Sequence, residues 1–250
     1  MTANRPAEPS QVRFGRFHFN TGTHQAALAR IIEWADTPNR SGLMVGFINP
    51  HVYNCAVAEP EVARFLGECD YVCIDGVGVT VAARLIHRVA LPRVVATDLF
   101  DALVGLERPL NALLVGTTAA EVLEAADKIN AGASGIRVVE AVDGFRDSAD
   151  YQDLLGRHPR IDAVLVGAGS PKSEGILLQA RELCPAALLF HIGAGTIKLY
   201  ADTKRRAPGL VSRLGLEWVH RIVFEPHTRS RYLGGAWSFA ADLVRSRSVP

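Results

Sequence analysis

Glycine, acidic and amide residues stand where several apolar segments of the chain end, and these residue types could bind a ligand together. They are Asn49, Asp75-Gly76, Gly116, Asp143-Gly144, Gly167-Ala168-Gly169 and Gly193-Ala194-Gly195. Glycine lets a backbone approach a phosphate or a sugar closely, and the N–H groups that open a helix bind anions. The pattern predicts a ligand site built from loops rather than from one continuous motif.

Common nucleotide-binding and catalytic motifs are absent from the sequence. Gly167-Ala168-Gly169 does not begin a G-x-G-x-x-G motif, since Lys172 stands where the third glycine belongs. The chain has no Walker A motif, no G-x-S-x-G elbow and no H-E-x-x-H sequence. These absences argue against a nicotinamide-dependent dehydrogenase and against the enzymes that the other three motifs define.

The elements that must position these loops alternate between strands and helices. Alternating apolar residues predict a first strand at Phe14 to Phe19. Gly42 to Ile48 and Tyr71 to Ile74 are short apolar runs of the type buried on both faces. Further strands are predicted at Asn111 to Val115, Ile136 to Val142, Asp162 to Val166 and Leu188 to Ile192. Amphipathic segments between them predict helices, including one that starts at Thr23 and one that runs from Asn49-Pro50 to Leu66. This alternation predicts a parallel α/β sheet, which binds ligands at the carboxyl ends of its strands.

Charge is distributed unevenly along the 250 residues. From Lys198 onward there are ten Lys/Arg and four Asp/Glu, whereas the first 197 residues hold 17 basic and 22 acidic residues. We therefore predict a disordered lead-in at 1–12, a core at 13–197 and a basic helical C-terminal appendage at 198–250. The appendage favours an anionic partner, and charge alone leaves nucleic acid, phosphate and anionic lipid open.

The N-terminus is polar and lacks the apolar core of a signal peptide, and no run of 18 apolar residues occurs. We therefore expect a cytoplasmic protein.

A set of segments, taken in order, resembles one enzyme family. They are Asp75-Gly76-Val77-Gly78, Arg93-Val94, Thr97-Asp98-Leu99, Val164 to Glu174, Arg206-Ala207-Pro208, Arg213-Leu214-Gly215-Leu216-Glu217-Trp218, Arg221, Glu225-Pro226, Arg229 and Arg231-Tyr232. Their order and spacing resemble the TagA/WecG/CpsF family, glycosyltransferase family 26, from about Phe14 to Leu233. The string from Arg206 to Tyr232 is the most specific part.

The resemblance implies a Rossmann-like, mostly parallel sheet with helices on both faces. It implies inverting transfer of an N-acetylhexosamine-like sugar from a UDP-sugar to a polyprenyl-diphosphate-linked sugar. It also implies no divalent metal and no cofactor, and the absence of a D-x-D motif at a strand end agrees with that. The family forms homo-oligomers, and its appendage assists binding to the inner face of the membrane and supplies arginines to the active site.

The resemblance assigns roles to individual residues. Asp75 is the predicted general base, although an aspartate there could instead cap a helix. Donor and diphosphate binding are predicted for Gly167, Gly169, Pro171, Lys172, Glu174, Gly193, Gly195, Arg206, Arg213 and Arg221, because cations and backbone N–H groups must stabilise departing UDP without a metal. Substrate binding is predicted for Asn49, Gly76, Arg93, Thr97 and Asp98, of which Asn49 and Asp98 could equally be turn or cap residues.

The chain departs from the family at strand ends. Phe47 replaces the Thr of T-x-N, Ser173 the Gln of P-K-Q-E, Asp143 the His of H-G-Y/F, Lys198 the acid of G-G-x-F-D, and His227-Thr228 a basic pair. Lost hydrogen-bonding groups change specificity, so a tailoring transferase for a soluble small molecule, such as a secondary metabolite, is an alternative.

The basic tail carries apolar stripes beside its arginines, which suit either packing on the core or contact with an anionic membrane surface. The tail has no recognisable nucleic-acid motif, so we expect no nucleic-acid partner. A non-catalytic relative of the family is a further hypothesis, against which the retained Asp75 and arginines argue.

Overall fold

The computed structural model describes residues 10–88, 90–107, 109–132, 135–204 and 229–246, with side chains in the last range from residue 235 onward. In chain order the elements are β1 (Ser10–Phe14), β2 (Phe17–Thr21), α1 (His24–Asp36), β3 (Leu43–Ile48), α2 (Pro50–Ala58), α3 (Pro60–Glu68), β4 (Tyr71–Ile74), α4 (Val77–Ala82, continued by a π-helical turn at Ala83–His87), α5 (Ala96–Val104), β5 (Leu110–Gly116), α6 (Ala119–Gly132), β6 (Ile136–Val142), α7 (Ser148–Arg157), β7 (Ala163–Gly167), α8 (Lys172–Leu183), β8 (Leu188–His191), α9 (Ala194–Tyr200) and α10 (Arg229–Ser246).

Six strands form one parallel sheet in the order β4-β3-β8-β7-β5-β6. Every residue of β3, β4, β7 and β8 is buried, because helices cover both faces of a parallel sheet. These short runs are apolar except for His191 in β8, which is the reason that the sequence predicts the strands well. The predicted α/β, Rossmann-like fold class is confirmed.

The strand order changes direction between β5 and β7. These strands are neighbours, yet β5 leads through α6 to β6 on one side while β7 leads through α8 to β8 on the other. Right-handed crossovers then place α6 and α8 on opposite faces of the sheet. The loops that follow β5 and β7 therefore lead to opposite faces, and the carboxyl edge between them is the usual ligand position in such sheets.

The prediction of a single first strand from Phe14 to Phe19 was wrong. The chain instead forms an antiparallel hairpin in which Phe14 pairs with Phe17 across Gly15. Gly15 adopts a φ of +61°, and a Cβ there would overlap the Tyr53 ring, so only glycine suits this turn. Residues 10–12, predicted to belong to the lead-in, lie in β1.

Two other predicted boundaries are displaced. The single helix predicted after Asn49 is two helices, because the chain is extended at Glu59 and Pro60 begins α3. The predicted limit between core and appendage, at 197 and 198, falls inside α9. The helix predicted to start after Thr23 is confirmed, and the Thr23 side chain caps it by accepting the Ala26 N–H.

The C-terminal helix α10 packs on the core of the same chain. Phe239 is buried edge-on against the Tyr53 ring, with centroids 5.1 Å apart, and Leu243 is fully buried. The Asn54 amide donates to the Gly235 carbonyl at 2.7 Å. One face of α10 therefore docks on α2 and the β1–β2 hairpin.

A carboxylate on α10 ties this helix to the hairpin and α2. Asp242 accepts hydrogen bonds from the Tyr53 hydroxyl at 2.8 Å and from Arg16 Nε at 3.0 Å, and it also pairs with Arg16 Nη2. Burial, and then this hydrogen bond, raise the pKa of Tyr53, so its hydroxyl remains the donor.

Replacing Asp242 with Ala is expected to weaken the docking of α10 by about 1–3 kcal/mol, because the buried Tyr53 hydroxyl loses its partner. Hydrogen exchange at residues 235–246 measures this as faster exchange. Arg245→Ala, on the exposed side of the same helix, serves as the control. Equal exchange rates in the two variants would show that Asp242 does not hold α10.

Candidate active site

The ends of β3 and β4 place Asn49 beside Asp75 and Gly76. The Asp75 N–H donates to the Ile48 carbonyl at 3.0 Å, and a Cβ on Gly76 would lie 3.9 Å from that of Asn49. The oxygen of the Asn49 amide accepts the Val52 N–H at 2.9 Å and caps α2. This cap uses one lone pair of the oxygen and leaves the NH2 group to donate to a sugar hydroxyl.

Asp75 lies at the carboxyl end of the edge strand β4. Its side chain is partly exposed, and Gly76 follows it with a φ of +102°. Burial, and then the charge of Asp75, raise the pKa of the Cys73 thiol beneath it. Asp75 thus offers a carboxylate at the rim of the strand-end site.

The segment after α4 returns to the same edge. The Val94 N–H donates to the Ile74 carbonyl at 2.9 Å, which places the partly buried Arg93 beside the end of β4. Thr97 lies in the first turn of α5, and its hydroxyl is 2.7 Å from that of Thr196 on α9. Since Thr196 donates to the Ile192 carbonyl, Thr97 must be the donor in this pair.

Asp98 was predicted to bind substrate, whereas Thr196 was not predicted to belong to the site. Asp98 is exposed in the first turn of α5, where an acid also favours the helix dipole. Thr196 was not predicted as a site residue, although it couples α9 to Thr97. Nothing local in the sequence indicates this contact, because 99 positions separate the two threonines.

Four glycines, Gly116, Gly144, Gly167 and Gly193, meet at the carboxyl ends of the strands, and the surface they form is called the glycine crevice. A Cβ on Gly116 would lie 2.4 Å from the Gly167 carbonyl oxygen, and one on Gly167 would lie 2.8 Å from Gly193. A Cβ on Gly144 would lie 3.1 Å from the Gly116 Cα. The ends of β5, β6, β7 and β8 therefore approach one another so closely that side chains cannot enter.

The loop from Ala168 to Pro171 enters α8, whose first residue is Lys172. Gly169 adopts a φ of +84°, and Gly193 at the neighbouring strand end has a φ of +76°. Gly195, in the first turn of α9, is partly exposed beside the Lys204 side chain. These conformations leave glycine backbone at the edge of the crevice, as the predicted diphosphate site requires.

Lys172 joins two loops of this edge. Its ammonium donates to the Gly144 and Arg146 carbonyls at 3.2 and 3.1 Å. A lysine has three N–H donors, so a third can still bind an anion. The neighbouring Pro171 is exposed.

Glu174, predicted to contact the donor, does not reach the surface. Its side chain is fully buried, and its Oε1 accepts a hydrogen bond from the Ser170 hydroxyl at 2.6 Å. The buried side chain therefore lacks the exposed surface that the predicted contact with the donor would need. The reason is that position 174 faces the sheet rather than the crevice.

The loop after β6 carries an aromatic residue that was not predicted as a site residue. Phe145 is 73% exposed, while its N–H donates to Asp143 Oδ1. The hydrogen bond from Arg146 lowers the pKa of Asp143. A partly buried carboxylate and an exposed ring thus stand at the far end of the edge from Asp75.

The predicted residues that the structure describes lie along one edge of the sheet. Neighbouring strands are about 4.8 Å apart, so the β4 end and the β7 loop are separated by roughly 14 Å. The Asp75 carboxylate lies at the end of β4, and the glycine backbone and Lys172 lie at the β7 loop. Arg206, Arg213 and Arg221 lie outside the described residues.

Within the described residues, no helix is both long enough and apolar enough to cross a bilayer.

Comparison with known proteins gives a family match. Residues 12–249 match the model of the glycosyl transferase WecG/TagA/CpsF family. The chain is similar to the N-acetylglucosaminyldiphosphoundecaprenol N-acetyl-beta-D-mannosaminyltransferase of Bacillus spizizenii, with 25% identity over 210 residues, covering 83% of this chain and 81% of the relative. It is similar to the protein of the same name in Bacillus subtilis, with 24% identity over 194 residues, 77% of this chain and 75% of the relative.

Proposed function

The chain belongs to the WecG/TagA/CpsF family and is a glycosyltransferase, and we propose that it transfers an N-acetylhexosamine-like sugar from a UDP-sugar to a lipid-diphosphate-linked sugar, with inversion and without a metal. The observation that carries this proposal is the strand-end edge, on which the Asp75 carboxylate follows β4 and the glycine crevice with Lys172 lies three strands away, at β7. The names of the two Bacillus relatives support the acceptor class.

The proposed reaction needs a base at the acceptor and cations at the leaving group. Asp75 takes the proton of the acceptor hydroxyl as that oxygen attacks the anomeric carbon. The bond from this carbon to the UDP oxygen breaks, and the diphosphate leaves with the electron pair. Lys172 stabilises this charge, with Arg206, Arg213 and Arg221 as further proposed partners.

A binding screen tests the donor and the absence of a metal. UDP, dTDP, GDP and ADP are added to the whole chain, with and without EDTA, and the melting temperature is measured. A ligand bound only by the folded state stabilises it by about 2.7 kcal/mol at a hundredfold excess over its Kd. We expect UDP to raise the melting temperature equally with and without EDTA.

Lys172→Ala is expected to raise the Kd of UDP about tenfold or more, because a hydrogen bond to a charged group contributes about 1.5–3 kcal/mol. Lys128→Ala is the control, since Lys128 pairs with Glu124 and Asp202 along α6, outside the crevice. No stabilisation by any nucleotide would contradict the proposed donor. Equal affinities in both variants would remove Lys172 from the site.

The acceptor has a second candidate, a soluble small molecule. The observation that favours a lipid-linked acceptor is the outer face of α10, where Trp237 is 79% and Val244 60% exposed, opposite the docked face. Co-sedimentation with anionic vesicles distinguishes the two acceptors: a lipid-linked acceptor predicts vesicle binding that Trp237→Ala weakens.

We also propose that the chain forms a homo-oligomer, and light scattering, which measures its mass in solution, tests this proposal.

A further inference from the structure

A histidine and a glutamate meet beneath the loop that enters α8. His191 and Glu174 have no exposed side-chain surface, and His191 Nδ1 lies 3.6 Å from Glu174 Oε1. Within the described residues, neither ring nitrogen of His191 nor Glu174 Oε2 has a hydrogen-bond partner. The proposed chemistry assigns these atoms no role.

Stability alone does not explain this pair. Buried polar atoms without partners destabilise a protein, and an apolar side chain of similar shape in their place is often neutral or stabilising. His191 lies in an otherwise apolar strand and stacks on Phe47, with ring centroids 4.3 Å apart. A phenylalanine at position 191 would keep that stacking without burying two ring nitrogens.

The contacts of the first turn of α8 indicate what the pair holds. Glu174 Oε1 accepts the Ser170 hydroxyl at 2.6 Å, and Ser173 Oγ accepts the Ala168 N–H at 3.0 Å. Two buried side chains of α8 thus fix two residues of the preceding loop. His191 stands beside the same Glu174 oxygen that binds Ser170.

We propose that Glu174 and His191 are positioning residues, which fix the loop from Ala168 to Pro171 in the conformation that receives the donor diphosphate. This inference rests on the proposed function for the identity of the ligand. The contacts of Glu174 with the loop and with His191 do not depend on that function. The imidazole, 3.6 Å away and outside hydrogen-bond distance, gives the carboxylate a polar neighbour on the side of the sheet, and the carboxylate accepts the hydrogen bond of Ser170. Burial lowers the pKa of His191 while Glu174 opposes that shift.

Two readouts on the whole chain test the proposal. Hydrogen exchange at residues 168–173 reports the loop without any ligand, and calorimetry gives the Kd of UDP. Glu174→Ala and His191→Phe are expected to speed exchange in the loop and to raise the Kd about tenfold or more, since small misplacements at a site are costly. Glu174→Gln, which keeps an oxygen for Ser170, is expected to restore part of the affinity.

Thr21→Val is the matched control, because it removes a buried hydrogen bond to Val72 on another part of the fold. The melting temperature of His191→Phe is expected to equal or exceed that of the wild type, although its UDP binding is weaker. If His191 served stability alone, its replacement would lower the melting temperature. Loop exchange as slow as in Thr21→Val would overturn the proposal, and so would faster exchange with unchanged UDP affinity. Failure of the wild type to bind UDP would instead overturn the proposed donor, and loop exchange would still decide whether the pair holds the loop.

Discussion

Replacing Asp75 with Asn is expected to lower kcat about 10²- to 10⁴-fold, because general-base catalysis contributes on that order and an amide cannot take the acceptor proton. The side chain keeps its size, and the Asp75 N–H still bonds to Ile48. The melting temperature and the KM for the donor should therefore change little. Steady-state kinetics with a UDP-sugar and a lipid-diphosphate-linked acceptor measure the effect.

The same substitution at the opposite end of β4 provides the control. Asp70 precedes this strand, and its carboxylate accepts the Met44 N–H at 2.8 Å. An asparagine oxygen can accept that bond too, so Asp70→Asn should retain kcat. Wild-type kcat in Asp75→Asn would refute the assignment of Asp75 as the base, and an equal loss in both variants would indicate a structural effect.

The sheet could be predicted from the sequence because its signals are local. The runs Leu43–Ile48 and Ala163–Gly167 are wholly apolar, as strands covered on both faces must be. Once strands and helices alternate, parallel pairing brings the strand ends to one edge. This is why Asn49, Asp75 and Gly167, far apart in the chain, were predicted together.

Contacts between distant segments could not be predicted in this way. Thr97 meets Thr196, and Glu174 meets His191, through strand order, which no local pattern specifies. In the sequence, His191 indicates such a contact only by being a polar residue within an otherwise apolar strand. Glu174 resembled a ligand-binding residue of its motif, but the rotation of α8 turns it towards the sheet.

The close backbone packing at the glycine crevice leaves no space for a side chain at Gly116. Gly116 has a φ of +152°, which side chains rarely adopt, and a Cβ there would lie 2.4 Å from the Gly167 carbonyl oxygen. Gly116 and the Gly167 carbonyl belong to the paired backbones of β5 and β7, so neither can move without separating these two strands. Gly116→Ala is therefore expected to destabilise the fold by about 2–5 kcal/mol through strain and overpacking together.

Urea unfolding measures this loss, and Gly67→Ala is its matched control. Gly67 is exposed in α3 with no atom within 4 Å of an added Cβ, so alanine there should be neutral or stabilise by about 0.5–1 kcal/mol. An unchanged free energy of unfolding in Gly116→Ala would mean that β5 and β7 are not packed as closely as the structure has them. Since this close approach leaves backbone rather than side chains at the proposed diphosphate site, the stability and the donor affinity of Gly116→Ala should fall together. A stable variant that binds UDP normally would show that the crevice does not need its glycines.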